Sequence, residues 1–388
     1  MSLTQFINNS PIFQEFIRTI IPTRSDFYTL SGKTPFSKDY IYLAPNKGLT
    51  SVKSSISGTA FDYIARLTIA QINPDKYSNV VCQDLVAQSG LQILSRKIPG
   101  KVSKRFDRKY CEAIDAIKKF TRKEVDSLYI ADYLVYLAKL ELVFRSGGLI
   151  PQEGVESILV SESEIIEDLI CLHSVFEDNF IAQNISCHSS VIFNPHFSKY
   201  SNLIGGADAD IIIDNTLYDF KTIVNKGYSW KHTAQLVSYF FMNILNCSMD
   251  NNISTDLKLQ NVRYLALYQA RYGETCFFDT EKFGDKLKIY TNEFKEFFEK
   301  LENDKAFFVE CFLPKSKSNI SVNGDDIKKF RADNHLSQEQ FGLLMGVNKK
   351  TVRFWELGYS LPSYENQKRI RKIINIKNVS VRDKYWCV

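Results

Sequence analysis

The chain contains no apolar run approaching the ~20 residues that cross a bilayer. Its first residues, MSLTQFINNSPIFQEF, lack the basic region and apolar block of a secretion signal, so the sequence reads as cytoplasmic, with no membrane partner. Eight cysteines are scattered singly (Cys82, Cys111, Cys171, Cys187, Cys247, Cys276, Cys311, Cys387), and no C-x-x-C pair is present. That spacing excludes a zinc ribbon or redox dithiol and predicts reduced, mostly buried thiols. The net charge of +5 is small for 388 residues. Basic residues concentrate twice, from Arg96 through Lys101, Lys104, Arg105, Arg108 and Lys109, and again in the last fifth of the chain. The first concentration reads as a solvated helix face. A hydrophobic content of 44% excludes wholesale disorder, and the length allows two or three domains, each with its own core.

The most informative stretch is 205–239, GGADADIIIDNTLYDFKTIVNKGYSWKHTAQLVSY. Two alternating runs, Ala207–Ile213 and Thr216–Thr222, flank Asp214-Asn215, a pair that tolerates positive φ, and predict a β-hairpin. Pairing outward from that turn sets Ile213 opposite Thr216, Asp210 opposite Asp219 and Asp208 opposite Lys221. All four charged side chains then share one face. Three gathered carboxylates repel unless a counter-charge is present, and a divalent cation supplies one. Mg²⁺ commonly takes one or two carboxylates, with water and phosphate completing its shell. Lys221 on the same face would orient an attacking water or stabilise charge on phosphate. Ser229–Leu245 has helical periodicity, with Gln235 and Tyr239 four apart on one side. The alternative reading is a hairpin with a solvated polar face and cross-strand Asp–Lys pairs.

The order hairpin aspartate, Asp219-Phe220-Lys221, then Gln235-Leu236-Val237-Ser238-Tyr239 resembles the PD-(D/E)xK nuclease superfamily, in its RecB-type exonuclease branch (GxxD…DxK…QxxxY). The resemblance implies an α/β restriction-endonuclease-like core and a Mg²⁺- or Mn²⁺-dependent phosphodiesterase. In that reading a hairpin aspartate and Asp219 bind metal, Lys221 serves the nucleophile, and the helix with Gln235 and Tyr239 borders the DNA path. Family spacing selects Asp208 as the hairpin ligand, whereas direct pairing with Asp219 selects Asp210. In the same branch an upstream helix begins with glycine and supplies a histidine four residues later. Here Gly58 is followed at that position by Asp62, either a metal ligand or a first-turn acid favourable to the helix dipole. The closely spaced cysteines of iron–sulfur members are missing, and no cluster is expected.

Along the chain, residues 1–50 show no clean period. Ser51–Ser57 reads as a serine-rich loop, followed by a helix from about Thr59. Residues 80–180 read as helices and are interpreted as an insertion in the nuclease core, a candidate clamp over DNA. Within it Glu164, Glu167 and Asp168 are expected as surface acids and His173 as a packed histidine. Short strands are expected near Ser189–Phe193, Val262–Gln269 and Thr275–Asp279, then a helix over Thr280–Leu301. His232 is expected at the surface, with a phosphate contact as the alternative.

The expected domains are 1–312, a linker at 313–324, and a small all-α unit at 325–388. In the last, Ser337 and Gln340 form an S-x-x-Q capping box, Gly346 makes the turn and Asn348 caps the next helix. About 50 residues here resemble the λ repressor-like (Xre) helix-turn-helix family. The resemblance implies duplex DNA as partner, with Asn348, Lys349, Lys350, Thr351 and Arg353 facing the major groove and Gln338 facing backbone phosphate. Val347, Val352, Trp355 and Leu357 are expected in its core.

Two functional classes follow. One is a metal-dependent deoxyribonuclease delivered by the helix-turn-helix, by analogy of domain combination in bacterial or phage-related defence. The other is a DNA-binding regulator or antitoxin-like protein with an inactive nuclease-like domain. A homodimer and a protein partner encoded nearby remain open in both.

Overall fold

The computed structural model describes residues 3–357 except Lys47, Gly205, Asp208, 250–261 and 313–323, and beyond them Ser360, Pro362, Asn366 and Ile370. It divides into two compact units, Met1–Phe312 and Leu313–Val388. The 313–324 linker lies outside the described residues except for its last residue, Gly324.

The first unit opens with helices α1 (Leu3–Asn9) and α2 (Pro11–Arg18), in the stretch whose sequence shows no period. The next helix, α3, spans Ser51–Ala70 and absorbs the expected serine loop. Thr50 caps it by accepting from Lys53 N, and the buried Ile56 and Ser57 carry the helix through the serine run. Gly58 therefore sits inside the helix. A Cβ there would stand 2.7 Å from Thr222 Oγ1, so the glycine admits the end of a strand. Then come α4 (Pro74–Tyr77), α5 (Val86–Ser95), α6 (Gly100–Thr121), α7 (Ser127–Arg145), α8 (Ser163–Phe176) and the short α9 (Ala182–Asn184). These helices share one core with α3. Phe106, Ile117, Leu134, Leu140, Leu169 and Phe176 bury in one core with Phe61 and Ile64 of α3.

That core is roofed by a five-stranded sheet, in the order β1 (Val191–Phe193), β2 (Ile211–Ile213), β3 (Thr216–Lys221), β4 (Tyr264–Gln269), β5 (Glu274–Asp279). Between β1 and β2 lies α10 (Ser198–Leu203). All neighbours are antiparallel except β3 and β4, which are parallel. A parallel pair needs a crossover, and α11 (Trp230–Met249) supplies it. Strand residues alternate between two cores. Tyr218, Phe220, Ala266 and Tyr268 face the α3–α8 layer, while Leu217, Leu265 and Leu267 face α1, α2, α11 and α12 (Lys286–Asn303). The expected continuous helix over Thr280–Leu301 is interrupted at Gly284 (φ 51°), which separates a 3₁₀ turn from α12. A last helix, α13 (Lys305–Phe312), closes the unit.

The hairpin registers as expected, Ile213 opposite Thr216 and Ile212 opposite Leu217, with Asp214 at φ 52°. β2 is shorter than expected. Before Ile211 the chain turns to the segment after β1, with Asn194 N donating to Asp210 O and Ala209 N to Pro195 O. Asp210 thus leaves the ladder, and its side-chain Oδ2 accepts the Phe220 N–H at 2.6 Å.

The second unit comprises α14 (Gly324–Asp333), α15 (Gln338–Met345) and α16 (Lys349–Glu356) around Ile327, Phe341, Met345, Val352, Trp355 and Ile370. Leu357 is exposed instead of buried, because α16 ends at Glu356 and Leu357 is its cap. Only Cys276 and Cys311 are buried among the seven described cysteines, fewer than expected; Cys111, Cys187 and Cys247 are exposed.

Candidate active site and nucleic-acid interface

Period-two alternation puts Asp219 and Lys221 on the α11 side of β3, at the strand's carboxyl end. Asp219 is almost fully buried, and its Oδ2 lies 2.5 Å from Lys221 Nζ as an ion pair. That oxygen has no hydrogen bond of good geometry. Lys221 Nζ also donates to Gln235 Oε1 on α11 at 3.2 Å, and Gln235 Nε2 donates to the Tyr239 hydroxyl at 2.8 Å. Tyr239 is buried and stacked on Phe197 at 5.7 Å. It holds Gln235 in place and does not border an open path, because this face of α11 packs into the core under the sheet.

Asp62 arrives from the opposite layer, on α3. Burial drives its carboxyl well above the ordinary range, and the nearby charge of Asp210 drives it further, against the opposing pull of Arg66 and Lys221. Asp219 is pushed up to about 7 by burial first, with Lys221 opposing and Asp210 reinforcing. For Lys221 burial acts downward, but Asp219, Asp210 and Asp62 outweigh it and hold the ammonium above its usual value. His232, expected at the surface, is half-buried on α11. Burial and the Lys221 charge lower it to about 4, so it is neutral at pH 7. Residues 62, 210, 219, 221 and 235, spread over the chain, thus share one electrostatic neighbourhood. Asp208 lies outside the described residues.

Among the described residues no three Asp, Glu, His or Cys side chains are already gathered as a metal-holding group. The donors that are present, a buried carboxylate oxygen without a hydrogen bond and two further aspartates within charge range, are hard oxygens of the type Mg²⁺ or Mn²⁺ takes.

The site rests on a support that the sequence reading missed. Asp168 is a buried group on α8, not a surface acid, and pairs bidentately with the fully buried Arg271 at 2.8 and 2.9 Å. Ser57 Oγ donates to the same carboxylate at 2.6 Å. Arg271 Nε donates to Thr222 O at 2.7 Å and its Nη1 to Ala44 O at 3.1 Å. The residue after Lys221 is thereby tied to α3, α8 and the 41–44 segment. Arg271 lies two residues beyond the end of β4, and an arginine beside an apolar strand end was the available signal. Glu164 is an exposed acid paired with Lys53, and His173 is packed with Nε2 2.8 Å from Thr68 Oγ1, both as expected.

In the second unit Ser337 accepts from Gln340 N while Gln340 Oε1 accepts from Ser337 N, the reciprocal capping box. Gly346 adopts the left-handed conformation (φ 66°) that ends α15. Asn348 Oδ1 accepts from Thr351 N at 2.8 Å and begins α16. Asn348, Lys349, Lys350 and Arg353 are exposed; Thr351 is half-buried. Gln338 is half-buried, and its amide donates to Glu356 Oε2 at 2.7 Å, beside the Arg331–Glu356 ion pair at 2.6 Å. Its role is therefore partly to brace α15 against α16.

Residues 327–377 match the helix-turn-helix family. No curated protein and no solved structure matches the chain.

Proposed function

We propose that the protein is a DNA-acting hydrolase: a Mg²⁺- or Mn²⁺-dependent nuclease of the PD-(D/E)xK type, targeted to duplex DNA by its C-terminal helix-turn-helix. The observation that carries this reading is the convergence of Asp62, Asp210, Asp219, Lys221 and Gln235 at the carboxyl end of β3, where open α/β sheets place their sites. The order α3, β1–β3, α11, β4 also agrees with the core that the resemblance implies. Asp210 and Asp219, with Asp62 beside them, are the residues that would hold the cation. When bound, the cation would supply charge neutralisation at phosphate and an acidified water. Lys221, oriented by Gln235, would stabilise charge on the phosphate oxygens. Gln235 is itself fixed by Tyr239. In the second unit Lys349 and Lys350 would contribute salt-dependent phosphate affinity, and Asn348 and Arg353 base-edge contacts. A role in bacterial or phage-related defence rests on the domain combination alone, as analogy.

A second reading, a DNA-binding regulator whose first unit is catalytically silent, draws on the Lys221 ammonium. It already neutralises Asp219, as it would in a purely structural ion pair. One experiment separates the two. The purified protein is incubated with plasmid and with linear duplex, in Mg²⁺, Mn²⁺ or EDTA, beside Asp219→Ala and Lys221→Ala. Metal-dependent cleavage lost in both variants is expected. Absence of cleavage by the wild-type protein, alongside sequence-selective binding lost on Arg353→Ala, would establish the regulator.

A further inference from the structure

Ile41 (77% exposed), Leu43 (48%), Ile223 (40%) and Val224 (39%) leave apolar side chains in solvent on two segments that the structure joins into one platform. The hydroxyls of Tyr42 and Tyr272 both donate to Val224 O. Their rings lie 4.8 Å apart, and the Lys226 ammonium stands 4.9 Å from the Tyr42 ring centroid and 5.8 Å from that of Tyr272. Leu43 N and Ala44 N donate to Arg271 O, and the Arg271 guanidinium grips Thr222 O and Ala44 O. The exposed side chains therefore stand on pinned backbone, and burying Tyr272 while leaving its neighbours in water is how the chain is built here. Ile223 follows Lys221 by two residues, at most about 7 Å of chain. A ligand reacting at Lys221 would run against this surface.

We infer that the platform formed by Ile41, Tyr42, Leu43, Ile223, Val224 and Lys226 receives unpaired nucleotide bases of the strand that enters the Lys221 site. The inference rests on that site facing nucleic acid. The outside of a duplex offers phosphate and sugar, and an apolar surface gains little there. An unstacked base offers an apolar π-face, which rings and aliphatic wedges cover, while a cation beside them meets the backbone. The protein would then engage single strands, flaps or opened duplex ends at this surface, distinct from the duplex contacts of the second unit.

The test uses the full-length protein in EDTA, with a short oligothymidylate carrying one 2-aminopurine, and measures anisotropy and 2-aminopurine emission. A mixed-sequence duplex is titrated in parallel. Ile223→Ser with Val224→Ser, and separately Ile41→Ser with Leu43→Ser, are expected to weaken single-strand binding roughly tenfold and restore the emission, leaving duplex binding unchanged. Leu128→Ser, at another exposed apolar position on α7, is expected to change neither. Single-strand affinity unchanged in both double variants, or no single-strand binding by the wild type, would overturn the inference. So would unchanged oligonucleotide binding with a dimer converted to monomer, which would make the face a contact between copies. Because binding is read without metal, failure of the cleavage reaction and failure of this inference are separate results.

Discussion

At the scale of single residues the chemistry turns on how burial sets charge. Asp219 carries a pKa raised to about 7 from an ordinary 3.8 because it is buried. In the unfolded chain it ionises near 4, so between pH 4 and pH 7 unfolding releases a proton that the folded state retains. Stability contributed by this group is thus fully present below pH 4 and lost as pH rises through 7. Relative to wild type, the stability of Asp219→Asn is expected to rise across that window by no more than ~4 kcal/mol, on top of a pH-independent cost from leaving Lys221 without its ion-pair partner. Urea titrations at pH 4.5 and pH 8 measure it; an identical difference at both values would show that Asp219 titrates normally. Asp168 is the acidic member of a buried bidentate bridge to Arg271. Asp168→Asn leaves the Arg271 guanidinium uncompensated and is expected to cost about 3–5 kcal/mol, read from the same denaturation.

At the scale of elements, caps decide more than propensity does. The helix-turn-helix is delimited by Ser337, Gly346 and Asn348, each recognisable in sequence because its residue type suits one backbone state. Ser337→Ala should destabilise the second unit by about 1 kcal/mol through loss of the Gln340 N–H partner, and thermal unfolding checks it. The start of α3 was not legible in the same way. Serine is a poor marker of helix interior, and Ser51–Ser57 is helical because Ile56 and Ser57 are buried against other elements. β2 shows the converse. Its alternation extends to Ala207, yet the ladder stops at Ile211 because Asp210 and Ala209 find other backbone partners, which moves Asp210 from a cross-strand position to a cap on Phe220 N.

At the scale of the whole molecule, the chain forms two units with separate cores, and in the proposed function the first would carry the chemistry and the second the addressing. Arg353→Ala is expected to lose about 1–3 kcal/mol of binding at one base-pair position, whereas Lys349→Ala should weaken binding on all duplexes and lower the salt slope by about 1. Fluorescence titrations against salt distinguish them. Neither change should alter unfolding of the first unit, and a shift in its transition would show that the units are energetically coupled.

The sequence alone determined what depends on near neighbours: the hairpin register about Asp214, the β3 face shared by Asp219 and Lys221, the i,i+4 pair Gln235 and Tyr239, and the caps of the second unit. Period and turn chemistry reach only a few residues, and these features need no more. Tertiary structure decided what depends on distant chain. It brought Asp62 to Asp210 across 148 positions, buried Tyr239 so that it orients Gln235, and paired Asp168 with Arg271 beneath Thr222. Those outcomes follow from which charges lose water when two helical layers close on one sheet, and no local pattern in a chain records that.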